Sequence, residues 1–375
     1  MQTTETSSPI DQRAFAAYER VREALVRMKG SPAAGPRDSS EPSAYWAQEL
    51  SNIDFMLDAS PIIIRKLRHH AFWITGLRAY DYRVQDDARQ ELFEERLRAL
   101  AAIGGSDLLV PEPETLGGFG YRIDGGLHNL DTLKFFEVLV GMRKAGILDP
   151  LREAAGAGPA QAGPHVPHGP HVRVDVGAGR SRPGSEWPVI CEIGGGWGGL
   201  AYQLKTLMPG ATYVIVDLPE LFLFSAVYLQ ALFPEARLVL WDGTRDATEW
   251  RAADFVFVPN TRAEVVAAMS PSVTINVASF QEMTTAQVDR YGRLAAAAGC
   301  PSIYSLNRER SRYNNELTTV TEALSPYYEL QPITLLDTDY TKAMKKPSRK
   351  TDDRTSLSQS EDLSYRHLAG SLRHG

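Results

Sequence analysis

The chain has 375 residues, 43% of them hydrophobic and 23% charged, which is enough for two domains with ordinary cores. A net charge of −6 excludes a general nucleic-acid binder, which needs a basic face, and no apolar stretch is long enough to cross a bilayer. The two cysteines, Cys191 and Cys300, make neither a disulfide framework nor a metal-type spacing, and the first residues lack a signal-peptide pattern, so a soluble, cytoplasmic protein is expected.

In chain order, Phe15, Tyr18, Val21, Leu25 and Met28 recur every three or four residues and predict an amphipathic helix over 12–28. A polar loop over 32–42 is followed by expected helices over 45–56, 62–73 and 86–103. Arg65, Lys66, Arg68, His69 and His70 form a basic spot on the second of these, expected as a solvated face or as a place to meet a phosphate. The glycine-rich stretch 116–127 leads to His128 and Asn129, and Asn129 is placed to cap a helix running to about residue 147. Residues 1–150 therefore read as a mainly helical domain. Its apolar faces need covering, by the next domain or by a second copy in a homodimer.

Residues 151–187, rich in Ala, Gly, Pro and His, read as a linker. His165, His168 and His171 lie there, but such a segment offers no fixed geometry for a metal, and no metal site is expected. From Pro188 onward, apolar β-branched runs alternate with helical stretches: 188–193, 213–217, 236–240, 254–258, 272–277 and 302–306, with 327–336 able to add a strand. That alternation predicts an α/β, Rossmann-like, doubly wound and mostly parallel sheet over 188–345. Residues 346–375 read as a polar tail in which Tyr365-Arg366-His367-Leu368 is a segment able to dock.

The chemistry concentrates at 188–199, Pro-Val-Ile-Cys-Glu-Ile-Gly-Gly-Gly-Trp-Gly-Gly. An apolar strand there ends in Glu192 and a glycine cluster, and the next strand ends at Asp217. Two parallel strands joined through a helix would hold a nucleoside-shaped ligand across their carboxyl ends. Gly194, Gly196 and Gly199 fit the G-x-G-x-x-G pattern of dinucleotide sites. Glu192, Gly194, Gly196 and Gly198 fit the E-x-G-x-G-x-G pattern of S-adenosylmethionine-dependent methyltransferases. The glycines alone fit either. Glu192 separates them, because a pyrophosphate wants helix-terminal N–H groups and no carboxylate beside them, whereas a methionine ammonium suits Glu192. Asp217, just before Leu218-Pro219, is placed to accept from ribose hydroxyls or to cap the following helix.

Together with Val216-Asp217-Leu218-Pro219 and with 275–283, Ile-Asn-Val-Ala-Ser-Phe-Gln-Glu-Met, these residues resemble the bacterial sugar O-methyltransferases, class I S-adenosylmethionine-dependent proteins. The resemblance covers most of 120–345. It implies the fold, S-adenosylmethionine as cofactor, and a hydroxyl acceptor on a deoxysugar or glycosylated natural product. It implies cofactor contacts from Glu192, Gly194, Gly196, Gly198, Asp217, Leu218, Asn276 and Ser279. One departure stands out. Two candidate strands, 236–240 and 254–258, lie where one is needed, and one of them is expected to be an added edge hairpin. Asp242, after the first, is the choice for the adenine amino group, and Asn260, after the second, is its rival.

Methyl transfer to a hydroxyl needs alignment, exclusion of water and often a base. Glu282, after the strand that carries Asn276, and His128, in the glycine-rich loop, are the candidates. Each has a plainer alternative: Glu282 as a carboxylate holding a loop N–H, His128 as a helix-start hydrogen bond. Two other functions stay open on sequence: a nicotinamide-dependent oxidoreductase, and a non-catalytic relative that binds a partner through its helical half.

Overall fold

The computed structural model describes residues 9–30, 41–84, 86–156, 187–244, 246–310, 314, 316–317, 319–336 and 364–373. The N-terminal region opens with α1 (Pro9–Gly30), whose buried stripe contains Tyr18, Val21, Leu25 and Met28. α2 (Ala44–Asn52) starts at Ser43, whose hydroxyl accepts from Trp46 N. The single helix expected over 62–73 is instead three short ones: α3 (Pro61–Arg65), α4 (Leu67–His70) and α5 (Phe72–Thr75). Lys66 leaves helical geometry at φ −113°, ψ 24°, and Gly76 ends the third in the left-handed region at φ 71°. α6 (Asp87–Leu100) is capped by Asp86.

The glycine-rich stretch folds into a hairpin, β1 (Tyr121–Ile123) and β2 (Gly126–His128). Its turn residues Asp124 and Gly125 both have positive φ, 48° and 82°, as a two-residue Asp-Gly hairpin turn requires. Asn129 then caps α7 (Leu130–Lys144) with a reciprocal capping box through Thr132. α8 (Leu148–Ala154) occupies the start of the expected linker, because Leu148 and Leu151 have a core to join. His165, His168 and His171 lie outside the described residues.

The second half runs β3 (Val189–Ile193), α9 (Gly199–Leu207), β4 (Thr212–Asp217), α10 (Phe222–Leu232), β5 (Leu238–Leu240), α11 (Ala247–Arg251), β6 (Phe255–Pro259), β7 (Val273–Val277), α12 (Thr285–Ala297), β8 (Ser302–Asn307), α13 (Val320–Leu324), β9 (Tyr328–Ile333) and β10 (Arg366–Leu372). These strands form one eight-stranded sheet in the order β5-β6-β4-β3-β7-β8-β10-β9. β5 through β8 pair in parallel, and β10 is antiparallel to both its neighbours. Every residue of β3, β4, β6 and β7 is buried, as strands covered on both faces must be. One face, with Ile190, Tyr213, Ile215 and Phe257, packs on α7, α9 and α10, and the other, with Cys191, Val214 and Val256, packs on α12. The fold is thus Rossmann-like and doubly wound, as the alternation of elements predicted.

Two expectations need correction. β5 pairs in parallel with β6 and is no hairpin arm. Its chain rises through α11 into β6, and that crossover forces the parallel sense. The segment read as a polar tail contains β10, which fills the slot between β8 and β9. His367 in β10 is buried between Glu137 of α7 (Nε2 to Oε1, 2.8 Å) and Tyr304 of β8 (Nδ1 to OH, 2.7 Å). Those two bonds explain how a polar segment enters the sheet.

Candidate active site

From β3 the chain winds outward through β4 and the β5–β6 edge, then returns to β7 on the other side of β3. The carboxyl ends of β3, β4 and β7 therefore flank the point where winding reverses, which is where doubly wound sheets bind ligands. The glycine loop fills that point. Gly194, Gly196 and Gly198 all have positive φ (73°, 56° and 87°), which side-chain-bearing residues adopt only under strain. A Cβ on Gly194 would stand 2.2 Å from Ser279 Oγ, so the loop packs directly on the turn after β7. Asn276 braces the two: its amide donates to Ile193 O (2.7 Å) and its Oδ1 accepts from Phe280 N (3.0 Å). Beside them Ala278 sits at φ 60°, an unusual conformation for alanine and a mark of a constrained site.

One cavity opens over this turn. Of the residues expected at the cofactor, Glu192, Gly194, Gly196, Asp217, Leu218 and Ser279 line it. So does Glu282, the expected base. Glu192 is buried, with Oε2 accepting from Tyr213 OH at 2.9 Å. Burial pushes its carboxyl up to about 8, against the pull of that hydrogen bond. Asp217 accepts from Gly196 N and from Leu218 N, both at 2.8 Å, yet burial still raises it to about 7. Glu282 is also raised by burial, to about 8, against the lowering pull of the Trp46 and Gln281 side chains. The cavity thus holds three carboxyl groups that favour the neutral form until a ligand supplies positive charge or donors.

The remaining candidates lie elsewhere. Asn276 is fully buried in its brace and is not part of the lining. Gly198 caps α9 and packs under Ser225, whose Cα would be 3.1 Å from an added Cβ. Asp242 is exposed beyond β5 and accepts from Thr244 N (2.9 Å) and Thr244 Oγ1 (2.7 Å). β6, not β5, adjoins β4, so Asn260 at the end of β6 reaches the cavity and Asp242 does not. His128 is buried in the hairpin, away from the cavity lining, and burial lowers its imidazole to about 4. It is neutral at neutral pH and does not line the cavity. Asp131, three residues on, pairs with Arg68 Nη2 (2.7 Å) and Lys134 Nζ (2.9 Å).

Arg68 corrects a further expectation. It is fully buried, not part of a solvated basic face. Its guanidinium lies 3.8 Å over the Trp197 ring and 4.7 Å over Phe119, with Glu112 at 3.0 Å. Trp197, within the glycine loop, donates its indole N–H to Asp131 Oδ2 (3.1 Å). The N-terminal region therefore grips the loop through stacked and charge-assisted contacts.

No protein-family model matches the chain, and no curated protein does. Several solved methyltransferase structures are similar to it at low level. Human N-acetylserotonin methyltransferase, solved with S-adenosylmethionine, is 12% identical over 99% of both chains, with a TM-score of 0.30. An O-methyltransferase family protein from Burkholderia thailandensis is 12% identical, covering 77% of this chain and 71% of its own, at a TM-score of 0.28. The 16S rRNA (adenine(1408)-N(1))-methyltransferase from Catenulisporales acidiphilia is 16% identical over 51% of this chain and 90% of its own, at a TM-score of 0.30. Likenesses of this strength decide nothing about activity; the cavity's own residues must.

Several of those residues escaped sequence reasoning. Trp46 of α2, Lys134 of α7 and Tyr291 of α12 line the cavity, and Tyr365, just before β10, joins them. Lys134 alone left a local signal, as a single cation inside the apolar run Leu133 to Phe136 of a helix buried almost all round. Such a charge must find a partner or a ligand.

Proposed function

We propose that the protein is an S-adenosylmethionine-dependent O-methyltransferase acting on a hydroxyl of a sugar or glycoside. The observation that carries this reading is the pair of buried carboxyls, Glu192 and Asp217, at the tips of adjacent strands and facing one cavity. In this reading Glu192 receives the methionine ammonium and Asp217 the ribose hydroxyls, and Asn260 lines the part of the same wall nearest the adenine. Gly194 and Gly196 let the backbone approach the ligand with no Cβ in the way. A dinucleotide fits poorly for two reasons. Its pyrophosphate would meet both carboxyls, and the N-terminus of α9 that should receive it is covered. A Cβ on Gly199 would already be 2.3 Å from the Trp197 ring and 2.5 Å from Phe135.

When bound, S-adenosylmethionine supplies a methyl group activated by a sulfonium. The chain's own part is to orient the acceptor, exclude water and take its proton. Glu282 is the base of this scheme: it borders the cavity, and a raised pKa matches it better to a hydroxyl proton than an ordinary carboxylate. A hydroxyl-rich ring with one apolar face suits the aromatic surfaces of Trp46 and Tyr365 beside the polar Gln281 and Glu282.

Titration calorimetry with S-adenosylhomocysteine tests the cofactor, and binding is expected while NAD(H) and NADP(H) leave the melting temperature unmoved. Transfer of labelled methyl from S-adenosylmethionine across a panel of deoxysugar glycosides tests the acceptor. Absence of homocysteine-adduct binding to the wild-type protein would remove the reading.

A further inference from the structure

Glu192 accounts for only one end of an α-amino acid. An amino-acid ligand at neutral pH is a zwitterion, and a cavity that offered it only carboxyls would repel its own carboxylate. Among the described residues lining the cavity, Lys134 brings a cationic side chain to the wall. It comes from the first turns of α7, and its side chain is 12% exposed. It lines the same cavity as Glu192 and Glu282, and its charge lowers both carboxyls.

We infer that Lys134 binds the carboxylate of the methionyl group, so that Glu192 and Lys134 together clamp the amino-acid end of the cofactor. The inference rests on the cofactor reading above. Asp131 makes the clamp rigid. Its Oδ1 accepts from Lys134 Nζ (2.9 Å), while its Oδ2 accepts from Arg68 and from the Trp197 indole of the glycine loop. The lysine is thereby fixed to the same loop that carries the glycines. An ammonium has three N–H donors, enough to keep Asp131 and serve a ligand oxygen. A lysine set beside a buried aspartate in a helix interior is costly if it only balances charge, because Arg68 already pairs with Asp131. Exposure to the cavity gives it a second role.

The test compares two probes on the wild type, Lys134→Gln and Lys134→Arg by titration calorimetry. S-adenosylhomocysteine has the amino-acid group, and 5′-methylthioadenosine lacks it. Lys134→Gln is expected to weaken S-adenosylhomocysteine about 10- to 100-fold, the range of a lost charge-assisted hydrogen bond. Methylthioadenosine affinity should stay within about twofold, which also shows that the variant is folded with an intact nucleoside site. Lys134→Arg should recover part of the loss. Equal affinity of wild type and Lys134→Gln for S-adenosylhomocysteine overturns the inference and leaves the cofactor reading standing. So does an equal loss for both probes, which marks Lys134 as merely structural. Wild-type protein that binds neither probe ends both.

Discussion

At the scale of single residues, the cavity's chemistry turns on carboxyl groups held partly neutral. Glu282 is raised to about 8 by burial, so its basic form dominates only above that value. If it removes the acceptor proton, kcat/KM for the acceptor at saturating S-adenosylmethionine rises with pH and levels off above about 8. Glu282→Gln should lower kcat by about 10²–10⁴ and flatten that profile, while S-adenosylhomocysteine binding persists. An unchanged pH profile in the variant excludes Glu282 as the base. Glu192 makes a separate prediction. At pH 7 a carboxyl raised to about 8 is mostly protonated, and an arriving ammonium favours its ionised form, so binding must expel a proton. Calorimetry at pH 7 in buffers of different ionisation heat should show proton release approaching one per S-adenosylhomocysteine, with Asp217 able to add to it. Glu192→Gln should abolish most of it. The sign follows for affinity as well: binding tightens as pH rises toward 8.

At the scale of elements, the glycine loop is fixed by what surrounds it. Gly194→Ala would force a side chain into φ 73° and against Ser279 Oγ at 2.2 Å. A loss of about 1–3 kcal/mol in unfolding free energy and of nucleoside binding is expected, since loop and β7 turn must separate. Urea unfolding and calorimetry measure the two. β10 depends in a similar way on His367, which is buried between Glu137 and Tyr304. His367→Ala leaves both partners without their bond and should cost about 1–3 kcal/mol or more.

These two elements mark the limits of legibility. The parallel strands were readable because strands buried on both faces are continuous apolar runs, as in Tyr213 to Val216. The glycine loop was readable because its motif is local. β10, Arg-His-Leu-Ala-Gly-Ser-Leu, has no β-branched residue and no alternation; two flanking strands and His367's buried partners make it a strand. Trp46, Lys134 and Tyr365 reach the cavity from segments distant in sequence, so no spacing announces them. His128 and Asp242 lie off the cavity lining for the converse reason. Each stood beside a suggestive motif, but the hairpin turned one away and the extra edge strand displaced the other.

At the scale of the whole molecule, the helical N-terminal region and the sheet share apolar surface rather than meeting as separate bodies. α1 packs on α10, and one continuous core holds Tyr18 and Val21 of α1, Phe136 and Leu139 of α7, and Tyr213 and Phe257 of the sheet. Polar contacts cross the same boundary, from Arg68 and Asp131 to Trp197 and from Glu137 to His367. A boundary drawn near residue 150 or 187 therefore does not divide the core. Heat or urea should unfold the chain in one transition, with near-UV and far-UV signals coincident. Two separated transitions would show that the halves are energetically independent despite their contacts. Arg68→Met examines the coupling directly. It leaves Glu112 and Asp131 buried without their guanidinium, and breaking a buried pair in this way costs about 3–5 kcal/mol. Because Arg68 also stacks on Trp197, the loss should reach the ligand site: the variant should bind S-adenosylhomocysteine more weakly even at temperatures where it is fully folded. A variant that loses stability but keeps wild-type affinity would confine Arg68 to holding the core, and would place the control of the glycine loop in the sheet alone.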